Sequence, residues 1–305
     1  MIIAVVGTTA TGKTALGVEL AQQLNGEVIS ADSRVVYRKL DIGTAKPTPE
    51  ERQGIPHHLI DLVNPDETYS VSMYQKTGSP ILNSLLAQEK TPIIVGGTGL
   101  YVRALLQESF FPDIPPDGHF RNEMAQLAQT HGTGYLHQLL TQKDPRRAAQ
   151  LHPNDQVRII RALEIIEKTG NPVPDATTPL PYNVCWLGLA YDDRDLLRQR
   201  IAQRMESMLS GGWIEEVEGL LKQYGPDAQA LKVAHGYPEL VKMLQGELSL
   251  DEARYQIQIN TQQYARRQIT WFRPNTNIHW FNVDKIPPEN LVNTALEYIK
   301  QYTGT

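Results

Sequence analysis

The sequence predicts an α/β protein: a parallel sheet built on a P-loop, flanked by helices and carrying an inserted all-helical domain. Three observations carry this. Short apolar runs alternate with helix-length segments from residue 1 to 112, which favours parallel strands joined by crossover helices. The stretch "GTTATGKT" fits G-x-x-x-x-G-K-[ST] between the first such run and the first helix. The alternation then stops between two proline-rich stretches and resumes near residue 183.

Each element has a local reason. "IIAVV" reads as a buried strand and Lys13 to about Leu24 as the helix after the loop. "EVISADS" reads as a second strand ending near Asp32, and "YSVSMYQKTGSPILNSLLAQEK" as a helix. "TPIIVGGTGLY" is a buried strand that breaks at Gly96-Gly97. "FPDIPPDG" and "GNPVPDATTPLPY" are stiff linkers bounding a helical insertion, residues 113–182, within a core of residues 1–112 and 183–305. "VCWLGLAY" returns to the sheet. A helix then opens at Asp192 or Asp193 and closes at Gly211-Gly212. A long helix from about Leu250 to Arg273, the strand "NIHWFNV" and a terminal helix follow.

Composition narrows the classes. With 305 residues, 41% of them hydrophobic, the chain can build one large or two modest cores. A single cysteine, Cys185, excludes an intrachain disulfide and a cysteine-based zinc site, and its apolar run suits a buried thiol. "MIIAVVG" lacks a basic lead and passes straight into the loop, unlike a signal peptide. No segment approaches the ~20 apolar residues of a membrane span. A cytoplasmic monomer with neither a membrane nor a zinc partner is expected. The net charge of -5 argues against indiscriminate nucleic-acid affinity but leaves room for a local basic track.

The chemistry-bearing residues cluster in motifs. Gly7, Thr8, Thr9, Ala10, Thr11, Gly12, Lys13 and Thr14 form a phosphate cradle. Backbone N–H groups converge on phosphate oxygens, Lys13 adds a mobile charge and the Thr14 hydroxyl is placed for Mg2+. A nucleotide hydrolase would next show an apolar strand ending in Asp or Glu. Here that strand ends in Gly-Gly-Thr, offering Thr98. The acid is Asp32, at the carboxyl end of the second strand, where ligands of open α/β sheets gather. Catalysis and a local cap are both open for it. Among Arg194, Arg198, Arg200 and Arg204, the last two share a helix face, to clamp phosphate or to form a solvated basic surface. His57 and His58 are adjacent, so an extended chain would point them apart, which disfavours a shared metal.

Two basic tracks stand out against the acidic total. "KDPRRAAQLHPNDQVRIIR" carries five basic and two acidic residues. "YARRQITWFRP" sets Arg266, Arg267 and Arg273 beside Tyr264, Trp271 and Phe272. Structured RNA and intramolecular ion pairs are both open as their partners.

Taken together, "GTTATGKT", "ADSRVVYRKLDIGTAKPT", "PHHLIDLVNPDETYSV", "IIVGGTGLYVRALL", "LHPNDQVRIIRALEI" and "ARRQITWFR" resemble the tRNA dimethylallyltransferase (isopentenyltransferase) family, in order from residue 2 to about 273. The resemblance implies transfer of a dimethylallyl group from dimethylallyl diphosphate to N6 of adenosine 37, next to the tRNA anticodon. It implies Asp32 as general base, with Lys13, Mg2+ on Thr14 and Arg204 stabilising the departing diphosphate, and Thr98 near the reacting nucleotide. It places Asp32, Ser33, Arg34, Val35, Thr98, Arg121, Val157, Arg158, Ile159, Ile160 and Arg161 where relatives touch the anticodon stem-loop. Thr8, Val35, Pro238 and Gln262 depart from the family pattern, and no cysteine-rich C-terminal extension is present, as in bacterial members. The rival readings are prenylation of free AMP or ATP, a P-loop small-molecule kinase, and an RNA-binding nucleotide switch.

Overall fold

A computed structural model describes residues 1–107, 114–174 and 181–304. The chain runs β1 (Ile2–Gly7), α1 (Lys13–Gln23), β2 (Gly26–Ser30), α2 (Pro49–Arg52), β3 (His57–His58), α3 (Val71–Ala87), β4 (Thr91–Val95) and α4 (Gly99–Leu106). Four helices follow: α5 (Gly118–His131), α6 (Thr133–Lys143), α7 (Pro145–Ala149) and α8 (Gln156–Thr169). Then come β5 (Val184–Ala190), α9 (Arg194–Ser210), α10 (Trp213–Tyr224), α11 (Gln229–Val233), α12 (Tyr237–Leu244), α13 (Leu250–Phe272), β6 (Ile278–Asn282) and α14 (Pro288–Thr303).

The strands form one parallel sheet in the order β3-β2-β4-β1-β5-β6. The apolar β1 lies between β4 and β5, with Ile3 opposite both Ile93 and Cys185, so its carboxyl end delivers the phosphate loop to mid-sheet. Ile3, Val5, Leu16, Leu20, Ile93, Leu187 and Ile299 share a core with Cys185, whose burial raises its pKa to about 11. Among the described residues, no helix is long and apolar enough to cross a membrane.

Two compact units result: residues 1–106 with 180–305, and residues 107–179. In the second, Met124, Leu136, Leu140, Ile159, Leu163 and Ile166 pack one core. Asp117, Asp144 and Asp155 cap α5, α7 and α8. Residues 111–113 of "FPDIPPDG" and 175–180 of "GNPVPDATTPLPY" lie outside the described residues.

The structure differs from the elements expected above at several places, among them the short α2, which was not expected. β2 stops at Ser30, two residues before Asp32, because Ala31 N–H closes the ladder on the Val95 carbonyl and the chain then turns. The sequence reading assigns no element to residues 213–244, where α10, α11 and α12 lie. It also assigns no strand to His57–His58, a two-residue edge paired to Val28 and Ile29 and too short to show a period.

Candidate active site

The phosphate loop is held from several sides. Gly7, at φ 133°, has no room for a side chain: a Cβ would sit 2.1 Å from the Leu189 carbonyl of β5. Thr11 Oγ1 donates to the Thr8 carbonyl at 2.8 Å, and Lys13 Nζ hydrogen-bonds the same oxygen. Ala10 adopts φ 63°, turning the loop toward α1. Thr9 through Thr14 line a cavity of about 460 Å³. Gly7 and Thr8 are buried outside its lining, and Thr8 Oγ1 has no hydrogen-bond partner among the described residues.

Asp32 and Arg204 line the same cavity. Asp32 Oδ1 accepts from Arg34 N–H at 2.8 Å, so this carboxylate both shapes its own turn and faces the cavity. Burial and the neighbouring Arg204 guanidinium lower the Lys13 pKa to about 7, against the pull of Asp32. Burial also lowers the Arg204 pKa, opposed by Asp32 and Glu51. Lys13, Asp32 and Arg204 therefore form one electrostatic group. Arg194, Arg198 and Arg200 are exposed, and Arg198 pairs with Asp195 at 2.7 Å. The face of α9 that meets the cavity is Ile201, Arg204, Met205 and Met208, so Arg200 does not accompany Arg204 into it.

Thr98 is not among the cavity-lining residues. Its Oγ1 accepts from Ser33 N–H at 3.1 Å and its N–H donates to the Ala31 carbonyl at 3.1 Å, fastening the Asp32 turn to the end of β4. Arg34 and Val35 line the cavity, with Val35 buried. His57 faces the cavity, whereas His58 Nε2 bonds Glu27 at 2.6 Å.

Sequence reading missed the wall supplied by α13. Ile257, Thr261, Tyr264 and Gln268 follow one helical face into the cavity. Tyr264 packs against His235, the ring centroids 4.2 Å apart and the planes tilted by 39°. Burial, then Arg34 and Arg267, lowers the His235 pKa to about 4, keeping that imidazole neutral. Gln268 is 4% exposed. The i, i+4, i+7, i+11 spacing of these four residues was the available signal. Met205, Met208 and Trp213 add an apolar surface.

The second unit separates the residues of its basic track. Glu164 is fully buried and holds Arg121 through Nε and Nη2, both at 2.9 Å, and also Arg161. Burial alone would raise the Glu164 pKa, but Arg121, the Asp117 N–H and Arg161 bring it to about 2. Arg121 and Arg161 thus have a structural partner. Ile159 is fully buried, so its side chain is not available to RNA, and Ile160 packs against the same core. Val157 is 80% exposed, and Arg158, 63% exposed, makes a 3.4 Å pair with Asp155.

The Thr14 hydroxyl lines the cavity from the first turn of α1. Among the described residues, no three His, Cys, Asp or Glu side chains gather to hold a metal. This donor set fits Mg2+ held mainly by substrate phosphate oxygens and water, with one protein hydroxyl.

Comparison with known proteins places the chain in a family. A family model described as IPP transferase matches residues 35–275, and one described as isopentenyl transferase matches residues 1–64. The chain belongs to the IPP transferase family. A tRNA dimethylallyltransferase of Caldanaerobacter subterraneus is 45% identical over 98% of this chain and 97% of that protein. The crystal structure of a full-length tRNA isopentenylpyrophosphate transferase from Bacillus halodurans is 40% identical with TM-score 0.74, covering 99% of this chain and 96% of its own. A eukaryotic dimethylallyltransferase acting on tRNA is 26% identical with TM-score 0.80, over 98% of this chain and 79% of that one.

Proposed function

We propose that this transferase moves a dimethylallyl group from dimethylallyl diphosphate to N6 of adenosine 37 in tRNA. One observation carries the reading: a phosphate loop, a cavity-facing arginine and a carboxylate meet in one cavity, while β4 runs into Gly96-Gly97-Thr98 without an acid to aim water. Such a cradle suits a diphosphate that leaves with its oxygens intact. In the reaction the donor's C1–O bond breaks, a C1–N6 bond forms, and the N6 proton passes to Asp32. An adenine amine is a weak nucleophile, so a base taking its proton as the bond forms contributes about 10²–10⁴-fold.

Lys13, the loop amides and Arg204 meet the negative charge growing on the bridging oxygen. Mg2+ bound at Thr14 would supply further charge neutralisation on the diphosphate. His235 and Tyr264 offer ring surface to a base drawn out of the anticodon loop, and unstacking that base costs a few kcal/mol. Arg158 on α8 and Arg266 and Arg267 on α13 are exposed cations suited to RNA phosphates.

The test is transfer of radiolabel from dimethylallyl diphosphate to unmodified tRNA, AMP or ATP. Label entering tRNA alone supports the reading. Label on the free nucleotides, or ATP cleavage with the prenyl donor untouched, rejects it.

A further inference from the structure

The geometry points to Gln268 as a positioning residue whose amide ties the phosphate loop to the second glycine-rich turn and holds the phosphate cradle and the Asp32 turn in register. The inference rests on the prenyl-transfer reading above. Gln268 Oε1 accepts the Thr9 N–H at 2.8 Å, across 259 residues of sequence, and its Nε2 donates to the Gly97 carbonyl at 3.2 Å. A side-chain amide supplies an acceptor and a donor from one planar group, which neither a carboxylate nor an ammonium does. Gly97 is shaped around it: a Cβ there would lie 1.9 Å from Nε2. One turn earlier on α13, Tyr264 interacts with both Gln268 and Thr98.

The consequence is geometric. With its N–H committed to Gln268, Thr9 fixes the first turn of the loop and leaves the following amides to face phosphate. Gly97 leads into Thr98, which holds the Asp32 turn. Gln268 therefore joins the leaving-group cradle to the carboxylate expected to take the proton. Misplacing two reacting groups by about 1 Å costs on the order of a hundredfold in rate.

Two variants test this. Gln268→Met keeps the length and loses both bonds. With both substrates saturating, its kcat should fall about a hundredfold, while affinity for inorganic diphosphate falls at least about tenfold less than kcat. Gln268→Glu provides a second, independent readout. A protonated carboxyl accepts from Thr9 N–H and donates to the Gly97 carbonyl, whereas a carboxylate sets negative charge against that oxygen.

Burial raises a carboxyl pKa, so the kcat of Gln268→Glu relative to wild type should climb about fivefold or more from pH 8 to pH 6. The corresponding Gln268→Met ratio should stay flat. Lys13, Asp32, Arg34, Arg204, His235 and Tyr264 share the cavity and are common to all three proteins. A Gln268→Met kcat within twofold of wild type, or a flat Gln268→Glu ratio, overturns the inference. If Gln268→Met melts below the assay temperature, the Gln268→Glu profile decides alone. Wild-type protein that cannot prenylate tRNA would instead sink the underlying function, a different result from an active wild type with an unimpaired Met variant.

Discussion

Asp32 and Lys13 divide the chemistry at the residue scale. Asp32→Asn keeps the turn's acceptor oxygen but cannot take a proton, so transfer should fall at least about 10²-fold with diphosphate binding retained. Single-turnover assays beside calorimetric titration check this. Lys13 makes a separate, pH-dependent prediction. With its pKa lowered to about 7 by burial and Arg204, it is largely neutral above that pH. A bound diphosphate favours the ammonium, so binding takes up a proton and affinity declines as pH rises. From pH 7 to 9, wild type should lose up to about tenfold per pH unit relative to Lys13→Arg, which stays charged throughout. Parallel curves for the two proteins would refute proton uptake by Lys13. Residue spacing alone does not separate Arg200 from Arg204, because both lie near one face of α9; only packing turns the second into the cavity.

At the scale of elements, α10 and α8 each carry one glutamate that organises its surroundings. Glu216 of α10 accepts from the N–H groups of Asp41 and Ile42 at 2.8 Å, from Gly43 at 3.3 Å, and from Tyr237 Oη at 2.6 Å. It thereby caps a loop whose Gly43, Thr44 and Ala45 line the cavity. Glu216→Ala should cost about 2 kcal/mol in denaturant unfolding and raise KM for the prenyl donor. Glu164 of α8 gives an acid-stability signature. Its folded pKa lies below the ordinary carboxyl value, so its stabilisation is complete above about pH 4.5. That stabilisation is lost as pH falls through about 2. Glu164→Gln should weaken that unit by about 2–3 kcal/mol at pH 7 and flatten its acid titration. Circular dichroism at stepped pH reads both effects.

For the whole molecule, RNA affinity should depend steeply on salt although the net charge is -5. Arg158→Ala should lower the slope of log affinity against log salt by about one, with diphosphate affinity unchanged. Arg161→Ala should instead lower thermal stability, because it leaves Glu164 with one arginine fewer. Filter binding from low to high salt, beside thermal melts, separates these outcomes. The alternation of strand and helix was legible at this scale because period and turn chemistry are local. The two-residue β3 was not, since it exists through pairing with β2 and has no signal of its own; α10 and α12 do carry an amphipathic period, which the reading of residues 213–244 left unassigned.

By itself the sequence determined the parallel P-loop sheet, the strand-loop-helix setting of Gly7 to Thr14, and the helical character of the segment after the first proline-rich break. Each depends on residues a few positions apart, where propensity and periodicity act directly. Only the tertiary structure decided that Arg204 enters the cavity, that Arg121 and Arg161 answer to Glu164, and that Gln268 reaches Thr9 and Gly97. Those pairings span from three to 259 positions along the chain, and burial selects them: a polar group taken out of water must find its partner wherever the packed elements bring one.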